Sequence, residues 1–240
     1  APPAARPTAS KGAPPTLVTK MDARAGELCL ADLRRACPAD AVLAEEGGAR
    51  PGTSGRRWIV DPLDGTTNYA HGVPIYCVSI ALEVEGRVEL GVAYDPSFDE
   101  LYVAERGRGA TVNNERLSVS ATTTLEASLL TTGFPYGIRE TRDTNLPEYA
   151  AFAVRCRGVR RMGSAVLDLA WVAAGRVDGV WELRLGAWDV AAGSLFVEEG
   201  GGGGARRFGG GVGLDAATQV AANRANPQGE AVTHRRKQGH

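Results

Sequence analysis

The chain has 240 residues, 43% hydrophobic and 23% charged, with a formal net charge of −1; this composition suits a globular protein built as one large α/β domain or two small ones. No stretch reaches the ~18–20 continuous apolar residues that span a bilayer, and the near-neutral charge, with only short basic clusters at 206–207 and 234–237, offers no field for nucleic acid. Cys29, Cys37, Cys77 and Cys156 lack CxxC spacing and the density of a disulfide framework, so they read as reduced thiols of a cytoplasmic or organellar compartment.

Residues 1–16, "APPAARPTASKGAPPT", are rich in Pro and Ala without apolar periodicity, and disorder is expected there. They lack the apolar core of a signal peptide. Over 22–37, Ala25, Leu28, Leu33 and Ala36 recur at helical spacing until Pro38. "AVLAEE" and "RRWIVD" read as strands. From 75 to 120 short β-rich runs alternate with turn signals at Glu85-Gly86, Gly107, Gly109 and Asn113-Asn114, the pattern of an antiparallel meander. "ASLLTTGF" is a further strand, 146–156 and 163–175 are helical, "RVDGVWEL" is a strand, "AWDVAAGSLFVEEG" a helix, and "TQVAAN" a last strand before a polar tail over 226–240. This order predicts stacked α and β layers with mixed, largely antiparallel sheets. The expected unit covers 17–225, in halves of about 17–135 and 136–225.

"WIVDPLDGTTNY", residues 58–69, ends an apolar strand on two carboxylates three residues apart, Asp61 and Asp64. Alone, such a pair is more often an ordinary turn than a site. Asp22, Glu45-Glu46 and Asp189, however, also stand at strand ends or helix starts. Carboxylates gathered in one place raise one another's pKa unless a hard cation such as Mg²⁺ neutralises them. The Leu63 carbonyl is a candidate oxygen ligand, and Pro62, lacking an N–H, suits a turn with carbonyls pointing inward. A helical turn opening at Gly65-Thr66-Thr67 would offer free amides to a phosphate beside the metal. His71 reads as a loop residue that caps or solvates, Glu46 as a solvated neighbour of Glu45, and Lys20 as an exposed lysine.

Taken together, "VTKMD", "AEE", "WIVDPLDGTTNY", "RMGSA" and "WELRLGAWDVAAG" occur in an order and spacing that resembles the inositol monophosphatase family of Mg²⁺-dependent, Li⁺-sensitive phosphatases, over roughly residues 17–200. The resemblance implies a layered αβαβα sandwich and hydrolysis of inositol monophosphate by direct attack of water. It implies that Glu45, Asp61, the Leu63 carbonyl, Asp64 and Asp189 bind Mg²⁺, and that Thr66, oriented by Asp22, assists deprotonation of the attacking water. It further implies that the Gly65 and Thr66 amides grip the phosphate, and that Ala165 and Glu182 face the alcohol part of the substrate. Trp188 reads as packing beneath Asp189. Alternatives on the same scaffold are a phosphatase of histidinol phosphate, fructose 1,6-bisphosphate or a nucleotide phosphate, and a non-enzymatic interaction or regulatory protein.

The family pattern has one or two further helices before the "VT" strand, Glu at the position of Gly26, and a tighter turn at the run 200–204. The expected partners are a small phosphorylated polyol and a second copy of the chain, without nucleic acid or membrane.

Overall fold

The structure is a computed structural model that describes residues 8–11, 16–142, 144–202 and 217–222. The tail at 226–240 and the glycines at 203–204 lie outside these residues. β1 (Thr8–Lys11) pairs antiparallel with β2 (Thr16–Thr19). The segment expected to lack structure therefore contains a strand, placed where no proline interrupts 8–13 and the backbone donors a ladder needs are available.

α1 (Lys20–Ala36) opens two residues earlier than its periodicity suggests because Thr19 caps it: its hydroxyl accepts from the Met21 and Asp22 amides while the Asp22 carboxylate accepts from the Thr19 amide. This reciprocal cap ends the strand and starts the helix in one step.

β3 (Ala41–Ala44), β4 (Gly48–Arg50), β5 (Arg56–Asp64), α2 (Thr66–His71), β6 (Cys77–Val84), β7 (Arg87–Asp95), β8 (Glu100–Glu105), β9 (Gly109–Val112) and β10 (Glu115–Arg116) follow. The strands form one sheet in the order β10-β9-β8-β7-β6-β5-β3-β4, antiparallel except where β3 runs parallel to β5. The meander expected over 75–120 is its major part.

The chain passes to a second sheet with β11 (Leu129–Thr132), then α3 (Leu146–Ala153), β12 (Gly158–Arg160), α4 (Ala165–Ala173), β13 (Gly179–Leu185), α5 (Ala187–Glu199) and β14 (Ala217–Ala222). Its order is β12-β11-β13-β14, with β11 parallel to both neighbours and β14 antiparallel to β13. α3 stops three residues short of its expected end: beyond Phe152, which is buried, Val154 is 84% exposed, so no apolar face sustains a further turn.

The layers follow from side-chain alternation along the strands. Ile59 of β5 joins Val166, Leu169, Leu195 and Phe196 of α4 and α5, whereas its neighbour Val60 joins Leu30 of α1. On β13, Val180 faces the α4–α5 layer and Trp181 packs with Phe152 of α3. The result is α1, large sheet, α4 with α5, small sheet, α3: the layered αβαβα sandwich that the resemblance implies. α5 is buried on most of its circumference, as a helix between two sheets must be. Among the described residues no helix is long and apolar enough to cross a membrane.

Candidate active site

β5 and the N-termini of α4 and α5 converge at one end of the large sheet. Pro62 cannot donate to the ladder, and the β5–β6 register shifts between Asp61 and Asp64. The Leu63 amide turns back to Asp61 Oδ1 at 2.9 Å. The local break brings both carboxylates to the same place instead of to opposite faces. Asp189, third residue of α5, accepts from the Gly186 amide at 2.6 Å. One carboxylate oxygen from each of Asp61, Asp64 and Asp189 lies within 4.8 Å of the others.

Asp64 is anchored from the opposite side. Its Oδ2 accepts from Ser164 Oγ at 2.6 Å and from the Val166 amide at 2.8 Å, so the start of α4 holds it. The Ala165 amide also points at this carboxylate, and Ala165 lines the adjoining cleft. Glu45 directly follows β3, and its backbone amide bonds to the Val60 carbonyl at 3.1 Å. Its charge acts on both Asp61 and Asp189.

The electrostatic consequence is uniform. Burial, then Glu45, Asp64 and Asp189, push the Asp61 carboxyl well above the usual range. Burial, then Asp64 and Glu45, do the same to Asp189. Asp64 is also raised by burial, with the Ser164 hydroxyl and the α4 amides opposing. Hard carboxylate oxygens that cannot all ionise together match a divalent cation such as Mg²⁺.

Beside the cluster, Asp22 receives both the amide and the hydroxyl of Thr19 on Oδ2. Thr66 Oγ1 lies 2.7 Å from Asp22 Oδ1 and 3.0 Å from the Leu63 carbonyl oxygen. Thr66 is the first residue of α2, and its N-cap Gly65 has φ +93°. A Cβ at Gly65 would meet the Ile75 carbonyl at 2.8 Å, so both backbone and space demand glycine there. The helical turn expected after Asp64 is present; His71 ends it and is exposed, as is Lys20.

A solvent-open cleft of about 500 Å³ adjoins the cluster, lined by Asp64, Asp189, Ala165, Glu182, Tyr136 and Arg161 among others. Glu182 is not at a strand end, as expected, but in the middle of β13, an inner strand, where the register with β14 shifts. Burial pushes its carboxyl up to about 7, Arg161 opposing and Asp64 adding. Gly133 makes room for it: a Cβ there would lie 1.9 Å from Glu182 Oε1. Trp188 packs against the main core, as expected.

The structure thus brings Asp22, Glu45, Asp61, Leu63, Asp64, Gly65, Thr66, Ala165, Glu182 and Asp189 to one region. Sequence reasoning quoted Arg161 and Ser164 within "RMGSA" but gave neither a role, and it missed Tyr136. Ser164 carried a further signal, a Ser directly before the apolar run of α4; Tyr136 carried none, because the loop that places it has no periodicity.

A model of the inositol monophosphatase family matches residues 5–240. An inositol-1-monophosphatase of Mesorhizobium japonicum is 46% identical over 211 residues, covering 88% of this chain and 79% of that protein. The Nus factor SuhB of Pseudomonas aeruginosa is 47% identical over 189 residues, covering 76% and 69%. Among solved structures, inositol monophosphatase from Anabaena (Nostoc) sp. superposes with a TM-score of 0.83 at 42% identity, covering 88% of this chain and 85% of that one. The extragenic suppressor protein suhB of Bartonella henselae gives 0.85 at 39% identity, covering 98% and 90%.

Proposed function

Because the chain belongs to the inositol monophosphatase family, we propose that it hydrolyses phosphate monoesters of small polyols, inositol monophosphate first among them, with Mg²⁺ as cofactor. The observation that carries this reading is the convergence of Asp61, Asp64 and Asp189 within 4.8 Å beside the Thr66–Asp22 hydrogen bond.

Asp61, Asp64 and Asp189, with Glu45 and the Leu63 carbonyl, would hold the cation. Mg²⁺ bound there would lower the pKa of the attacking water and offset charge on the transferring phosphoryl group. The rest belongs to the chain. Asp22, fixed by Thr19, accepts the Thr66 hydroxyl in a hydrogen bond, so that as the attacking water gives a proton to Thr66 Oγ1 the threonine's own proton passes to Asp22 Oδ1. The amides at the start of α2 face the phosphate, and Glu182 faces a hydroxyl of the alcohol. No covalent nucleophile is needed.

Phosphate release from inositol monophosphate, fructose 1,6-bisphosphate, histidinol phosphate and a nucleotide monophosphate, each with Mg²⁺ and with a chelator, tests the reading. Mg²⁺-dependent turnover highest on inositol monophosphate and inhibited by Li⁺ is expected; full turnover with the chelator contradicts it. Relatives named Nus factor SuhB favour a second reading, an interaction protein on the same scaffold. An absence of turnover on every substrate supports that reading.

A further inference from the structure

One wall of the cleft is the loop joining β11 to α3, and it is held at both ends. At its base Asn145, fully buried with φ +65°, donates from Nδ2 to Thr132 Oγ1 at 2.9 Å and to the Gly133 carbonyl at 2.6 Å. Its Oδ1 accepts from Trp181 Nε1 at 2.6 Å. The Phe134 ring packs against Tyr149 of α3 at 5.8 Å between centroids. Further along, Arg184 of β13, itself at φ +62°, donates from Nη1 to Thr141 Oγ1 at 2.9 Å. Anchors on both sides give the intervening residues a set position.

Tyr136 lies between these anchors and lines the cleft together with Asp64 and Asp189. Tyr136 is 64% exposed. Burial, then the charges of Asp64, Glu45, Asp189 and Asp61, raise its phenol pKa; a phenol is in any case protonated at neutral pH, so toward an anion the group is a donor. Among the described residues no hydrogen bond to this hydroxyl is found. Tyr136 shares this cleft lining with Asp64 and Asp189, two of the carboxylates proposed to hold the cation, where the phosphoryl group would sit.

We propose that the Tyr136 hydroxyl is a substrate-binding donor that hydrogen-bonds a phosphoryl oxygen of the monoester, and equally inorganic phosphate, and so strengthens binding of the phosphate whatever alcohol it carries. The assignment rests on the phosphatase reading of the site. It differs in kind from the expected role of Glu182, which concerns the alcohol.

Tyr136→Phe keeps the exposed ring and removes one hydroxyl. In calorimetry on the Mg²⁺-loaded protein, affinity for inorganic phosphate should fall about tenfold to a hundredfold, the effect of one donor to a charged acceptor. kcat/KM for inositol monophosphate and for p-nitrophenyl phosphate should fall by the same factor, and affinity for Mg²⁺ alone should not change. Unchanged phosphate affinity in a variant of an active wild-type protein overturns the assignment and leaves the phosphatase reading standing. A loss confined to inositol monophosphate overturns it by moving Tyr136 to the alcohol side, and a loss of Mg²⁺ affinity by moving it to the cation site. A wild-type protein that neither binds phosphate nor turns over removes both readings together.

Discussion

Asp61 is 1% exposed, its Oδ1 accepts from the Leu63 amide, and the neighbouring carboxylates push its pKa further upward. A side chain in that position is costly unless a cation meets it. Asp61→Asn and Asp189→Asn keep size and remove one charge each; kcat should fall at least about a hundredfold, because a displaced cation spoils alignment. Thr66→Ala should retain Mg²⁺ affinity and lose rate, a contrast that calorimetry and steady-state kinetics resolve. Glu182 carries a pH signature. Its folded pKa of about 7 stands above the ordinary 4.5, so between those values the folded state binds more protons than the unfolded one and stability falls as pH rises. Asp61 and Asp189, also raised, add slopes of the same sign. The metal-free protein should therefore melt at a lower temperature at pH 8 than at pH 5. Glu182→Gln should flatten part of that fall, and a melting temperature that rises across the window would contradict the assignment.

The N-terminus of α4 connects element to site. Ser164 Oγ accepts from the Leu167 amide at 3.3 Å and donates to Asp64 at 2.6 Å, so one hydroxyl caps a helix and aims a carboxylate. Ser164→Ala should cost about 1–2 kcal/mol in denaturant unfolding, the worth of an N-cap, and should also weaken Mg²⁺ binding; a loss of stability with unchanged Mg²⁺ affinity would reduce Ser164 to a cap. The same hinge shows what a sequence can and cannot reveal. The apolar period of α4 and the Asp-Pro break in β5 are local patterns, so the strand, the turn and the helix were legible. The register shift at Glu182 and the pairing of Gly133 with that side chain join segments well separated along the chain, and no local pattern records them.

At the scale of the whole molecule, stacked α and β layers were legible in the order of helices and strands, and their αβαβα arrangement in the family resemblance; β5 and β13 each send alternate buried side chains to two helical layers. The site residues recognised from the motifs all reached one end of the large sheet. The cleft wall around Tyr136 did not show itself, since loops carry placement without periodicity. The core that holds the layers together includes Phe196 of α5, fully buried and 6.0 Å from the Tyr102 ring of β8. Phe196→Ala should cost about 3–5 kcal/mol, read as a lower urea midpoint. The central claim is that the three aspartates make a Mg²⁺-dependent phosphatase. Its most direct test is the rate of phosphate release from inositol monophosphate across a Mg²⁺ titration, for the wild-type protein and Asp61→Asn side by side. A wild-type rate that rises from baseline with Mg²⁺ while the variant stays at least about a hundredfold lower is the predicted result; equal rates in the two proteins, or a wild-type rate indifferent to Mg²⁺, would contradict it.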